Sequence, residues 1–174
     1  MSDNLTIRKA EQSEYKRIGE IMVDVYSALE GFPKQSDQPQ YYEMLANIGE
    51  ITNKAHTELI VAVDKNEQVA GAVVYFTDMS SYGSGGTATG EKNAAGFRLL
   101  AVDPAFQGRG VGRLLSQYCI DRTRELQIPR LLIHSTVSMK IAWGLYERLG
   151  FKRYEYLDFM QGELEVFGYQ LVIN

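Results

Sequence analysis

The chain has a single cysteine, Cys119, so an intrachain disulfide cannot form and a clustered-cysteine metal site is excluded. A cytoplasmic location is the resulting expectation. Its two histidines, His56 and His134, lie far apart without metal-ligand spacing, and no metal site is expected. Excess positive charge is also lacking: 18 Lys and Arg face 22 Asp and Glu, for a net charge of −4. That balance disfavours broad electrostatic capture of nucleic acid or an anionic membrane, and neither is expected as a partner. No segment offers the roughly 18 uninterrupted apolar residues of a membrane span, and residues 1–9 lack the apolar run of a secretory peptide. Proline is scarce at four residues, whereas glycine, at 16, is conspicuous. With 174 residues and 45% hydrophobic content, the chain can bury a core without staples, and residues 1–174 read as one domain.

The apolar spacing sets the order of elements. Residues 5–10 read as a short strand, after which Tyr15, Ile18, Met22, Val25 and Leu29 fall on one helical face. Gly31 and Pro33 break that helix before a second one at 39–48. Residues 58–64 and 68–77 form a strand pair around the turn at Lys65 and Asn66. From 79 to 93 the chain becomes rich in Ser and Gly with little obvious apolar burial. It reads as a mobile surface insertion, a functional lid being the other reading. Strand 96–102, helix 111–126, strand 130–135 and helix 140–149 follow, with Gly150 placed where a helix end favours positive φ. Residues 151–156 and 165–172 supply closing strands. Strands interspersed with helices, without an internal repeat, imply a layered α/β fold with a mixed sheet.

The densest chemical signal is Leu99-Leu100-Ala101-Val102-Asp103-Pro104-Ala105-Phe106-Gln107-Gly108-Arg109-Gly110-Val111-Gly112, a strand passing through a glycine-rich turn into a helix. Gly108, Gly110 and Gly112 let backbone N–H groups approach a ligand, and the helix start adds unpaired N–H groups and a positive dipole end. Arg109 and Arg113 add charge, so the turn suits phosphate oxygens. No Lys-Ser or Lys-Thr follows at nucleotide P-loop spacing, and the glycines do not match a dinucleotide fingerprint. A merely tight strand-to-helix turn is the competing reading.

Gln107, Gly110 and Gly112 match the Gln/Arg-x-x-Gly-x-Gly/Ala signature, and the stretch resembles the acyl-CoA-binding turn of the GNAT superfamily of N-acetyltransferases. Phe97 to Pro104 is similar to that family's preceding strand, and Ala142-Trp143-Gly144-Leu145-Tyr146-Glu147-Arg148-Leu149-Gly150-Phe151 to its late helix and next strand. The resemblance implies an α/β (α+β) fold with a mixed, largely antiparallel central sheet flanked by helices. It also implies acetyl transfer from acetyl-CoA to an amine acceptor on a small molecule, peptide or protein. A noncatalytic acyl-CoA-binding regulatory module is the alternative. Gln107, Gly108, Arg109, Gly110, Val111, Gly112 and Arg113 would then hold the diphosphate, and Leu100, Ala101 and Val102 the pantetheine arm through their backbone. Tyr146 stands at the position of the family's frequently catalytic tyrosine and is the candidate general acid.

This chain departs from the family at two positions. Gly96 stands where many members carry a basic glutamate, and Met139 where many carry asparagine, leaving Ser138 to cap the late helix. Glu91 reads as a satisfied or solvated carboxylate, and His134 as a hydrogen-bonded structural residue before a base. The path that deprotonates the amine, a general base or water, stays open. Trp143 and Phe151 read as packing residues. Tyr26, Phe32, Tyr41 and Tyr42 either border the acceptor pocket or serve packing, and a free sheet edge or these early helices leave a homodimer possible.

Overall fold

A computed structural model describes residues 4–83 and 85–174; residues 1–3 and Ser84 of the Ser/Gly-rich insertion lie outside it. Eight strands are present among the described residues: β1 (Thr6–Lys9), β2 (Thr57–Val63), β3 (Val69–Phe76), β4 (Ala95–Val102), β5 (Arg130–Thr136), β6 (Lys152–Arg153), β7 (Phe159–Gln161) and β8 (Leu164–Val172). Four α-helices accompany them: α1 (Tyr15–Ser27), α2 (Pro39–Ala46), α3 (Val111–Glu125) and α4 (Lys140–Arg148). The strand order is β1-β2-β3-β4-β5-β8-β6, with β7 also on β8. β4 and β5 run parallel, while β1–β2, β5–β8, β6–β8 and β7–β8 are antiparallel. The sheet is therefore mixed and largely antiparallel, flanked by helices.

Contacts divide the chain into two compact units. The first comprises Met1–Lys54, Glu58–Val74 and Leu99–Ser116. Here α1 buries Ile18, Ile21, Met22 and Tyr26, and α2 adds Tyr42 and Leu45; of the face read from the spacing, Ile18 and Met22 are buried, Tyr15 and Val25 are half-buried, and Leu29 lies beyond the helix end. Arg8 on β1 donates to both carboxylate oxygens of Glu14, at 2.9 Å each, fixing the entry to α1. That pairing holds the Glu14 carboxyl below the ordinary carboxylate range.

The second unit comprises Ala55–Thr57, Tyr75–Arg98 and Gln117–Asn174. Its longest ladder pairs β5 with β8 from Arg130↔Val172 to Thr136↔Val166. Leu131, Leu132, Ile133 and Tyr169 are buried along it. As its sequence position suggests, Gly150 ends α4 in the left-handed region, at φ +101°.

Two expectations about this unit are corrected. The described residues of 79–93 are more ordered than a loose insertion: they include two short 3₁₀ turns, Met79–Ser81 and Ala88–Gly90, and Met79, Tyr82 and Ala88 are buried. Glu91 closes it, accepting from Arg130 at 2.9 Å and from the Tyr154 hydroxyl at 3.0 Å. Composition hid this because three well-spaced apolar side chains repay the ordering of a polar stretch. The expected strand 151–156 shrinks to the two residues of β6, followed by a 3₁₀ turn at Glu155–Leu157. The unexpected β7 pairs Gln161 with Leu164 across a two-residue turn at Gly162 and Glu163, a hairpin signal in too short an apolar run to recognise.

Candidate active site

In the first unit, Asp103 follows the end of β4 and ties the turn together. Its N–H donates to the Ala70 carbonyl at 2.9 Å, and its carboxylate accepts from the Ala105 N–H at 3.0 Å and from Arg17 at 2.7 Å. Pro104 starts a short 3₁₀ turn through Phe106, whose buried ring carries the Arg109 guanidinium 5.2 Å above its centroid. Gln107, Gly108, Arg109 and Gly110 are all exposed.

Gly108 and Gly110 hold φ +79° and +78°, and a side chain added at either would meet nothing within 4 Å. Their main chain therefore faces open space in a conformation that other residues rarely adopt. The Leu114 N–H, donating to the Gly110 carbonyl at 3.0 Å, marks the start of the ladder in α3. The amides of Val111, Gly112 and Arg113 precede it and have no partner within the helix. Exposed amides, a helix N-terminus and two arginines form a cradle that fits an anionic oxygen-rich group such as a diphosphate. The structure thus brings together all seven turn residues singled out in the sequence.

Upstream, β4 is irregular. Leu99 has φ +61°, a left-handed residue inside a strand, and the following Leu100 carbonyl accepts the Tyr26 hydroxyl at 3.0 Å. Leu100 and Val102 are half-buried, whereas Ala101 is buried. Nothing in the composition of Phe97-Arg98-Leu99-Leu100 signals this break, since positive φ is foreign to leucine.

In the second unit, Tyr146 is 6% exposed on the inner face of α4, with the Phe151, Phe97 and Tyr169 rings 5.8, 5.9 and 6.4 Å from its own. Burial pushes its phenol above its ordinary range, with further upward effects from Tyr82 and Cys119. Its hydroxyl has no hydrogen-bond partner among the described residues. Ser135, Thr136 and Ser138 hydroxyls and the Trp143 Nε1 are likewise buried without a partner among the described residues. Unmet polar atoms from the end of β5 to α4 are each costly unless a ligand or water meets them. Sequence reasoning passed over Ser135 and Thr136, because a hydroxyl at a strand end carries no motif.

Ser138 does not cap α4; Met139 holds that position and makes no side-chain cap bond. His134 reads as structural: its Nε2 bonds the Leu157 carbonyl at 2.9 Å, its ring packs on Tyr82 and Phe159, and burial lowers its pKa. Glu91 is satisfied by Arg130 and Tyr154.

Gly96 is sealed. A Cβ there would meet the Met79 sulfur at 2.6 Å, the Leu132 carbonyl at 2.9 Å and the Tyr82 ring at 2.9 Å, so no glutamate fits. Gly96→Ala is expected to destabilise the protein by about 1–3 kcal/mol through overpacking against backbone, read as a lower urea midpoint with an unchanged slope. Among the described residues, no group of three or more His, Cys, Asp or Glu is arranged for a metal ion. No helix among them is long and apolar enough to cross a membrane.

Residues 18–151 match the sequence model of the Acetyltransferase (GNAT) family. An uncharacterised N-acetyltransferase of Schizosaccharomyces pombe is 43% identical over 90 residues, half of this chain but only 32% of that protein. The solved acetyltransferase of the GNAT family from Staphylococcus aureus Mu50 superposes with a TM-score of 0.73 at 15% identity, covering 98% of this chain and 99% of the other. A spermidine N-acetyltransferase from Vibrio cholerae, solved with CoA and spermine, gives a TM-score of 0.65 at 20% identity, covering 97% and 95%. At these identities the structural matches establish a shared fold.

Proposed function

Because the chain belongs to the Acetyltransferase (GNAT) family, we propose that it transfers the acetyl group of acetyl-CoA directly to a primary amine of a small molecule, peptide or protein, residues 1–174 acting as one cytoplasmic domain. The observation that carries this reading is the open glycine turn, in which Gly108 and Gly110 face open space and the exposed residues 107–110 lead into the N-terminus of α3.

Bound acetyl-CoA supplies an activated thioester carbonyl and a thiolate leaving group. Gln107 to Arg113 hold the diphosphate through backbone N–H groups, with Arg109 and Arg113 offsetting its charge. Leu100 and Val102 align the arm by main-chain hydrogen bonds, with Ala101 between them turned toward β3, so the apolar side chains remain committed to packing. Tyr146 delivers its phenolic proton to the departing sulfur, and the phenolate so formed, disfavoured by burial, takes up a proton that the amine releases through water. Ser135, Ser138 and Trp143 offer polar contacts in place of the asparagine absent at Met139. With Gly96 sealed and His134 bonded to Leu157, the amine gives up its proton to water.

Mass-resolved screening of diverse amines with acetyl-CoA tests this. The expected result is an acceptor heavier by one acetyl group, formed only in the presence of protein. Acetyl-CoA binding without any acetylated acceptor across the panel would favour a noncatalytic CoA-responsive module instead.

A further inference from the structure

The stretch of β4 that would meet an extended ligand follows a backbone conformation that its sequence does not favour. Leu99 is 6% exposed and sits at φ +61°, a conformation that a leucine keeps only when its surroundings hold it. Beyond it, the Asp103 N–H donates to the Ala70 carbonyl of β3 at 2.9 Å, which fixes the edge of the strand facing β3. By alternation, Ala101 shares that edge, and its carbonyl oxygen lies within 2.7 Å of where a side chain on Gly71 of β3 would begin. The polar groups of Leu100 and Val102 lie on the opposite edge. There the Leu100 carbonyl is met by a side chain rather than a strand: the Tyr26 hydroxyl donates to it at 3.0 Å.

Tyr26 is itself held rigidly. It lies in the last turn of α1, 4% exposed, with the Phe32 ring at 5.6 Å and the Tyr41 ring edge-on at 6.5 Å. A hydrogen bond to Leu100 from a ring so fixed sets the plane of the Leu100–Ala101 peptide, because that unit is planar. Together with the Asp103–Ala70 bond it anchors the strand immediately after the left-handed Leu99 and keeps Val102 on the free edge.

We propose that Tyr26 is a positioning residue: its hydroxyl clamps the Leu99 break so that the open edge of β4 is preformed for the arm of the acyl donor. This rests on the acetyl-CoA reading above. The aromatic ring is packing; the hydroxyl is the functional part.

The test compares Tyr26→Phe with Tyr42→Phe. Tyr42 belongs to the same aromatic group, and its hydroxyl donates to the Pro33 carbonyl at 2.7 Å without touching β4, so it loses the same atom elsewhere. In unliganded Tyr26→Phe, backbone amides at 99–102 are expected to exchange hydrogen several-fold faster. The acetyl-CoA Kd, and with it the KM for acetyl-CoA, should rise about five- to tenfold, the worth of one neutral hydrogen bond. The KM for the amine should hold. Tyr42→Phe should leave amide exchange and acetyl-CoA affinity as in the wild type. Wild-type exchange and affinity in Tyr26→Phe, or an equal loss in Tyr42→Phe, would overturn the clamp. Wild-type protein that fails to bind acetyl-CoA would instead overturn the functional reading, while amide exchange would still report on the clamp.

Discussion

Tyr146→Phe is expected to lower turnover by about two to four orders of magnitude, the range over which a positioned general acid acts, with acetyl-CoA affinity largely retained. The substitution removes one oxygen from a side chain whose ring is packed between Phe97, Phe151 and Tyr169, so the core around α4 keeps its contacts. It also leaves no partner stranded, because the hydroxyl has none among the described residues. A purely structural tyrosine would give the reverse pattern, unchanged turnover with a small change in stability.

The pH dependence has a definite sign. Proton donation needs the neutral phenol, which is populated below its pKa, and burial raises that pKa above the ordinary value of about 10. Any alkaline limb due to Tyr146 therefore lies above pH ~10. A kcat profile falling well below that pH must report another group, and loss of such a limb in Tyr146→Phe would contradict the raised pKa.

Replacing Gly108 and Gly110 together with alanine is expected to weaken acetyl-CoA binding by about one to two orders of magnitude. Left-handed backbone costs an alanine about 1–2 kcal/mol relative to its right-handed forms. Since no atom lies within 4 Å of either new Cβ, nothing clashes and the turn is free to relax. Relaxation swings the amides away from a common centre, and each charge-assisted hydrogen bond so lost is worth about 1.5–3 kcal/mol. Gly90→Ala is the control: Gly90 also faces open space but not with positive φ, and its substitution should leave affinity unchanged. Calorimetric titration of the three proteins reads the difference directly.

Motif and periodicity together made the site's outline legible. Strand, glycine turn and helix in immediate succession located the cradle, because only that succession places free amides and a helix N-terminus side by side. The 3.6-residue spacing marked Ile18 and Met22 of the buried face of α1, and the late Leu-Tyr-Glu-Arg-Leu-Gly-Phe run located Tyr146. What escaped was set by long-range contact. The carbonyl of Leu100, next to the Leu99 break, is met by a hydroxyl 74 positions away on Tyr26, and Glu91 near the end of the 79–93 stretch is held by Arg130 and Tyr154. Ser138 was misplaced as a cap for a local reason: the 3₁₀ turn Val137–Met139 puts Met139 at the helix start. The orphaned hydroxyls of Ser135 and Thr136 are visible only once burial is known.

The most direct measurement is a calorimetric comparison of acetyl-CoA with acetyl-pantetheine, which shares the thioester and arm but lacks the nucleotide diphosphate. If the turn at 107–113 holds the diphosphate, acetyl-CoA should bind at least tenfold more tightly, about 1.4 kcal/mol, and Gly108→Ala/Gly110→Ala should erase the advantage. Equal affinity of the wild-type protein for both compounds would contradict it.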